Sequence, residues 1–290
     1  CLNYRLTDKE RDEFEKNGFF LVEDALSPTM VQDLTKLVDR VDTDYRNVMG
    51  LGPCEVLELI DFVGKHDLFL ELLDWPRTFP KVWEILGWHI QLYSSHMNIT
   101  PPVSPEERGV KKRLGWHFDT GNLDMEPEID PRPRVSLKAG YFLTDTSELG
   151  RGNLWVVPGS HQHNELELPP DGVSDPPNAV GVQAQAGSAL FFDRRLYHAA
   201  SPNHSDITRK MVFYGYSYRW LRQRDNMTVD HVMHRCSPIR QQLLGAPTFP
   251  ASAFGNLGGD AGSGYTSPNA EAVPLRSWIK DHLGEDAVAP

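Results

Sequence analysis

Polar and apolar positions divide the chain into a short helical opening and a long strand-rich remainder. Thr7-Asp8-Lys9-Glu10 has the form of a capping box, with Thr7 as N-cap and Glu10 reaching back, and predicts a helix over 7–17. Asn17-Gly18 ends it. The unbroken apolar run that follows, Phe19-Phe20-Leu21-Val22, predicts a short buried strand. Ser27 and Pro28 open a second helix, Ser27 as cap and Pro28 in the first turn, where its missing N–H costs nothing. Met30, Leu34, Leu37, Val38 and Val41 give that helix an apolar stripe. Further helix is predicted over 66–75 and 78–86.

From Trp88 to Ile99 the pattern changes to short alternating runs, and strand and loop alternate to about residue 220. The strongest strands fall at 135–143, 153–157, 188–193 and 210–218, rich in β-branched and aromatic residues and bounded by Gly, Pro and Asn. Three proline-containing loops, 101–115, 121–134 and 162–179, have the length of binding loops or lids. Residues 244–274 are rich in Gly, Ala, Ser and Pro and read as irregular, and 275–283 form a last amphipathic segment. Helices followed by many strands argue for a mainly β sandwich or barrel with flanking N-terminal α-helices. One domain over 1–243, with core strands at about 88–220, and an extension over 244–290 ending in a short helix are expected.

Composition narrows the class of function. The formal net charge of −11 and a sequence pI near 5.4 speak against a nucleic-acid binder, which needs a basic face. No apolar run approaches the roughly 20 residues of a membrane span, and the first ten residues lack a leader's pattern. Three scattered cysteines, Cys1, Cys54 and Cys236, form no metal spacing and no disulfide framework. A cytoplasmic protein acting on a small molecule is expected, with no nucleic-acid or membrane partner.

The chemistry concentrates at Gly115-Trp116-His117-Phe118-Asp119. Residues i and i+2 of a strand share a face, so His117 and Asp119 aim an imidazole and a carboxylate at one point. His198, just after the apolar run Leu190-Phe191-Phe192, is the candidate third ligand. Two histidines and one carboxylate are the ligand set of non-haem Fe(II) oxygenases, which leave metal positions open. Arg209 stands eleven positions after His198 at the head of an apolar, aromatic strand. A buried arginine there needs a partner, and it can grip a carboxylate through two parallel hydrogen bonds. Lys138, His96, Asn98 and Arg219 are candidate substrate contacts, although Lys138 reads as solvent-facing and His96 as a core histidine. Asn203 and His204 are candidates to order the His198 loop.

His117-Phe118-Asp119, Pro158-Gly159-Ser160-His161, His198 and Arg209 together resemble the phytanoyl-CoA dioxygenase family, as does the opening segment from Asp8 to Phe19. The resemblance implies a double-stranded β-helix (jelly-roll, cupin-like) core, Fe(II), 2-oxoglutarate and O2. It implies His117, Asp119 and His198 as catalytic metal ligands and Arg209 as anchor of the distal 2-oxoglutarate carboxylate. The activity implied is dioxygenase hydroxylation of an unactivated C–H bond, with release of succinate and CO2. Asp119 argues against a halogenase, which in this superfamily has a small residue in place of the carboxylate. Two positions depart from the family pattern. Thr100 stands before Pro101-Pro102 where many members carry Lys, and Ala200 stands where many carry Ser. A hydroxyl for the 2-oxoglutarate carboxylate is therefore sought in Ser201, Tyr93 or Tyr141. The rival readings are a cupin-type metalloenzyme that does not use 2-oxoglutarate, for which Arg209 is the discriminator, and a ligand-binding member without turnover.

Overall fold

The computed structural model describes residues 2–119, 131–246 and 273–288. Strands run β1 Phe19–Val22, β2 Leu57–Ile60, β3 Ile90–Thr100, β4 Ser136–Phe142, β5 Leu154–Val156, β6 Val180–Gly181, β7 Ala189–Asp193, β8 His198–Ala200 and β9 Arg209–Tyr218. The helices are α1 Asp8–Asn17, α2 Pro28–Met49, α3 Asp67–Leu73, α4 Phe79–Leu86, α5 Asp230–Met233, α6 Pro238–Leu243 and α7 Pro274–Leu283. The chain forms two compact units, one of residues 6–62 and 95–215, the other of residues 1–5, 63–94 and 216–290.

The strands form a six-stranded sheet ordered β1-β7-β4-β9-β3-β2 and a three-stranded sheet ordered β6-β5-β8. Antiparallel pairing joins β1 to β7, β7 to β4, β2 to β3, and β5 to both β6 and β8. This is an antiparallel, sheet-rich core with helices, as the pattern of the chain predicts. In the first unit Phe142, Leu190, Phe192, Met211 and Phe213 of the large sheet share one apolar core with Leu154 and Val156 of the small sheet. Gly140 lets β4 and Phe213 approach closely: a Cβ there would lie 2.6 Å from the Phe213 ring.

The first elements form as their caps dictate. Thr7 Oγ1 accepts the Glu10 amide at 3.2 Å, and Glu10 Oε2 accepts the Thr7 amide at 2.9 Å. Gly18 takes the left-handed conformation (φ 83°) that ends α1. Its position also leaves space for His161, whose Nδ1 would be 2.6 Å from any Cβ at residue 18. His161 is buried with Nε2 on the Glu15 carbonyl, so the Pro-Gly-Ser-His corner fastens α1. Removing the capping hydroxyl by Thr7→Ala is expected to cost about 1 kcal/mol in urea unfolding, with the denaturant slope unchanged.

The second unit shows how polar side chains finish its loops. The buried Gln242 amide donates to the Trp88 and Ile90 carbonyls at 3.0 and 3.1 Å and accepts the Leu275 amide. The terminal helix α7 occupies the expected place. Most of the Gly-rich stretch 244–274 and of the loop 121–134 lies outside the described residues. Among the described residues no helix is long and apolar enough to cross a membrane.

Candidate metal centre

His117, Asp119 and His198 come together in the first unit, each offering a ligand atom within 4.8 Å of the others. The backbone fixes this convergence. His117 and His198 exchange both amide hydrogen bonds across an isolated bridge, N to O at 3.0 and 2.8 Å. The Asp119 amide donates to the Arg194 carbonyl at 2.9 Å, which turns the chain after His117 back over the end of β7. On the small sheet His198 pairs with Val156 and Ala200 with Leu154, so His198 and Ala200 share the face toward the cavity.

The imidazoles are set as ligands. His117 Nδ1 lies 2.8 Å from the Gly115 carbonyl, and His198 Nδ1 lies 2.8 Å from the Leu196 carbonyl. Each carbonyl is an acceptor, so Nδ1 carries the proton and Nε2 keeps its lone pair. Burial pushes the His198 pKa down to about 4 against the pull of Asp119, so the ring is neutral near pH 7. Burial raises the Asp119 carboxyl, but Lys138, His198 and His96 outweigh it and hold Asp119 well below the usual carboxylate range. A charged carboxylate beside two imidazoles oriented through Nδ1 is the donor set that suits a divalent ion of the iron type. His117 is exposed, which leaves that edge of the cluster open.

The same cavity is lined by His96, Asn98, Lys138 and Arg209, with Phe192 and Phe213 as its apolar walls. Arg209 is 2 % exposed, and burial pushes its pKa down to about 10 while Glu58 works the other way. Its Nη1 donates to Asn98 Oδ1 and, at 3.1 Å, to Thr100 Oγ1. Asn98 is itself held by Glu58, its partner across β2 and β3, through Nδ2 to Oε1 at 3.0 Å. Among the described residues Nε of Arg209 has no hydrogen-bond partner and no carboxylate forms an ion pair with the guanidinium. A buried cation satisfied only by neutral oxygens fits a ligand that brings its own carboxylate.

Strand parity sorts the other candidates. His96, Asn98 and Thr100 share the cavity face of β3, and His96 stacks on Phe213 at 4.3 Å. Lys138, read from sequence as solvent-facing, is instead buried and donates to Asp119 Oδ1 at 2.8 Å. Every residue of β4 is buried, so the polar face of this strand is the cavity face and not an outer surface. The hydroxyls sought for the carboxylate lie elsewhere. Ser201 is out of phase with His198 and Ala200, and its Oγ donates to the Asn153 carbonyl at 3.0 Å. Tyr141 lies on the opposite face of β4 from Lys138 and packs edge-on against Tyr214. Tyr93 is out of phase with His96 and Asn98 on β3, and the Arg219 guanidinium donates to the Gln242 and Ala246 carbonyls. The hydroxyl at Arg209 is that of Thr100, whose parity with Asn98 was a readable signal.

Positioning comes from two loops, the 162–179 loop and the one after His198 that Asn203 is expected to order. Asp175, in the 162–179 loop, accepts the Leu114 amide at 2.9 Å and the Trp116 indole at 2.7 Å, which braces the approach to His117. Asn203 is buried and donates to the Thr100 and Ile207 carbonyls, tying the loop between His198 and Arg209 to β3.

The comparisons agree with this geometry. The phytanoyl-CoA dioxygenase (PhyH) family profile matches residues 14–211. The ectoine dioxygenase of Bordetella parapertussis is 26% identical over 243 residues, covering 73% of this chain and 75% of that protein. Among solved structures, HygX from Streptomyces hygroscopicus with nickel and 2-oxoglutarate bound superposes with a TM-score of 0.61 at 18% identity, over 76% of this chain and 90% of that one. EctD from S. alaskensis with 2-oxoglutarate and 5-hydroxyectoine gives 0.56 at 18% identity, over 74% and 77%. With a family match that spans the metal cluster and Arg209, the chain belongs to the phytanoyl-CoA dioxygenase family.

Proposed function

We propose that this chain is an Fe(II)- and 2-oxoglutarate-dependent dioxygenase that hydroxylates a C–H bond of a small organic molecule on a double-stranded β-helix core. The observation that carries the reading is one cavity lined by the two histidines of the His-Asp-His cluster and by a buried arginine that has no carboxylate in an ion pair with it among the described residues. His117, Asp119 and His198 hold the metal, and Arg209 holds the distal carboxylate of 2-oxoglutarate. When bound, iron supplies O2 activation, coupled to conversion of 2-oxoglutarate to succinate and CO2. The protein's share is orientation and exclusion of water. The carbonyls of Gly115 and Leu196 fix the two rings, Asn98 and Thr100 aim the guanidinium, and Phe192 and Phe213 keep the interior apolar. The primary substrate approaches over the exposed edge of His117. The ectoine dioxygenases and the ligand-bound HygX and EctD structures support the class of co-substrate and the small-molecule scale of the substrate.

The test is anaerobic titration of 2-oxoglutarate into the Fe(II)-loaded protein, followed by admission of O2 and assay of succinate. Saturable binding that needs the metal, with slow uncoupled succinate formation, is expected. A folded, metal-loaded protein that fails to bind 2-oxoglutarate would favour a cupin-type metalloenzyme without this co-substrate.

A further inference from the structure

We propose that Lys138 is a second anion-binding residue of the cavity, donating to a carboxylate of 2-oxoglutarate once the metal is in place; the proposal rests on the co-substrate assignment above. Lys138 reaches the cavity from β4 and Arg209 from β9, so the two cations enter from different strands. The Lys138 side chain is 10% exposed, and its ammonium carries three N–H donors. Asp119 Oδ1 takes one of them at 2.8 Å. The rings of Phe192 and Phe213 also lie near Nζ, with centroids 5.8 and 6.0 Å away. At that distance they attract the cation weakly and accept no hydrogen bond. A buried ammonium is costly unless its donors are met, and Lys138 keeps donors unspent among the described residues while it lines the cavity.

The position gives this donor set its meaning. Lys138 is bonded to the carboxylate of the metal cluster, so a ligand oxygen beside the metal comes within reach of the same ammonium. Arg209 is committed to Asn98 and Thr100 on a different strand. A dicarboxylate that lies between the two cations meets one at each end. The competing role for Lys138 is that of counter-ion to Asp119 alone. That role predicts altered metal affinity or stability and an unchanged affinity of metal-saturated protein for 2-oxoglutarate.

The experiment is calorimetric titration of 2-oxoglutarate into Ni(II)-saturated full chain, for wild type, Lys138→Met and Lys138→Arg, with Ni(II) affinity measured in parallel. The dissociation constant for 2-oxoglutarate is expected to rise roughly tenfold to a hundredfold in Lys138→Met, the range for a hydrogen bond to a charged group, and to recover in part in Lys138→Arg. Equal 2-oxoglutarate affinities in wild type and Lys138→Met at saturating Ni(II) would overturn the proposal and leave Lys138 as a counter-ion. Should the methionine variant not hold Ni(II), Lys138→Gln, which keeps a donor toward Asp119, is read by the same criterion. Failure of the wild type itself to bind 2-oxoglutarate is a separate outcome, because it removes the co-substrate assignment and this proposal with it.

Discussion

Asp119→Ala is expected to weaken Fe(II) or Ni(II) binding by more than about a hundredfold in chloride-free buffer, and to destabilise the metal-free protein as well. The first effect follows from the ligand set. Even partners that only orient a ligand typically contribute 10- to 100-fold in metal affinity, and Asp119 supplies the only carboxylate of the cluster among the described residues. The second follows from Lys138, whose ammonium is bonded to Asp119 Oδ1 with both side chains about 10% exposed. Truncating one member of a buried ion pair leaves an uncompensated charge, at a cost of about 3–5 kcal/mol. The double variant Asp119→Ala/Lys138→Met separates the two effects. It is expected to regain most of the lost stability in thermal unfolding and none of the metal affinity. His198→Ala gives the complementary pattern, with metal binding lost and no orphaned cation. Retention of full Ni(II) affinity by Asp119→Ala would exclude the cluster as the metal site.

These expectations rest on features the sequence shows unequally. The cap residues Thr7, Ser27 and Gly18 were legible because each is governed by local geometry, whereas His117 and Asp119 converge without the expected strand, His117 in an isolated bridge to His198 and Asp119 in the turn after it. His198 and Arg209 stood out as polar groups beside apolar strands. The error over Lys138 has a definite cause. Alternation on β4 separates polar from apolar positions, which predicts the apolar set alone as the buried one. In a sheet covered on both faces a lysine can only be paired inside, and here its partner comes from the metal cluster. Ser201 stands one residue past the position where many family members carry Ser, and that single step turns it to the other face of the strand, onto the Asn153 carbonyl. Strand β2 was passed over although Leu57 and Leu59 alternate with Glu58 and Ile60, and with it went Glu58, the residue that holds Asn98. Strand β8 is three residues long and β6 two, too short to carry a pattern. The Asp175 brace joins positions far apart in sequence, and no local rule predicts it.

Arg209→Met is expected to abolish detectable 2-oxoglutarate binding and at the same time to leave the ligand-free protein at least as stable as wild type. The loss of binding exceeds about a hundredfold, because a two-pronged, charge-assisted contact to a carboxylate disappears at a buried guanidinium. Arg209→Lys keeps the charge without the planar fork and is expected to fall between the two. The stability effect runs the other way. Burial lowers the Arg209 pKa to about 10, below its usual value, which means that the folded state disfavours the charged form. The group stays protonated near pH 7, so without a bound carboxylate its charge subtracts from stability, and an apolar side chain of similar length relieves that penalty. In a pair of thermal melts, added 2-oxoglutarate should raise the midpoint of metal-loaded wild type and leave that of Arg209→Met where it was. A variant that unfolds well below ligand-free wild type would show instead that Asn98 and Thr100 fully satisfy the guanidinium within the fold. Arg209 would then be a structural residue, and the anchor of the co-substrate would have to be sought elsewhere in the cavity.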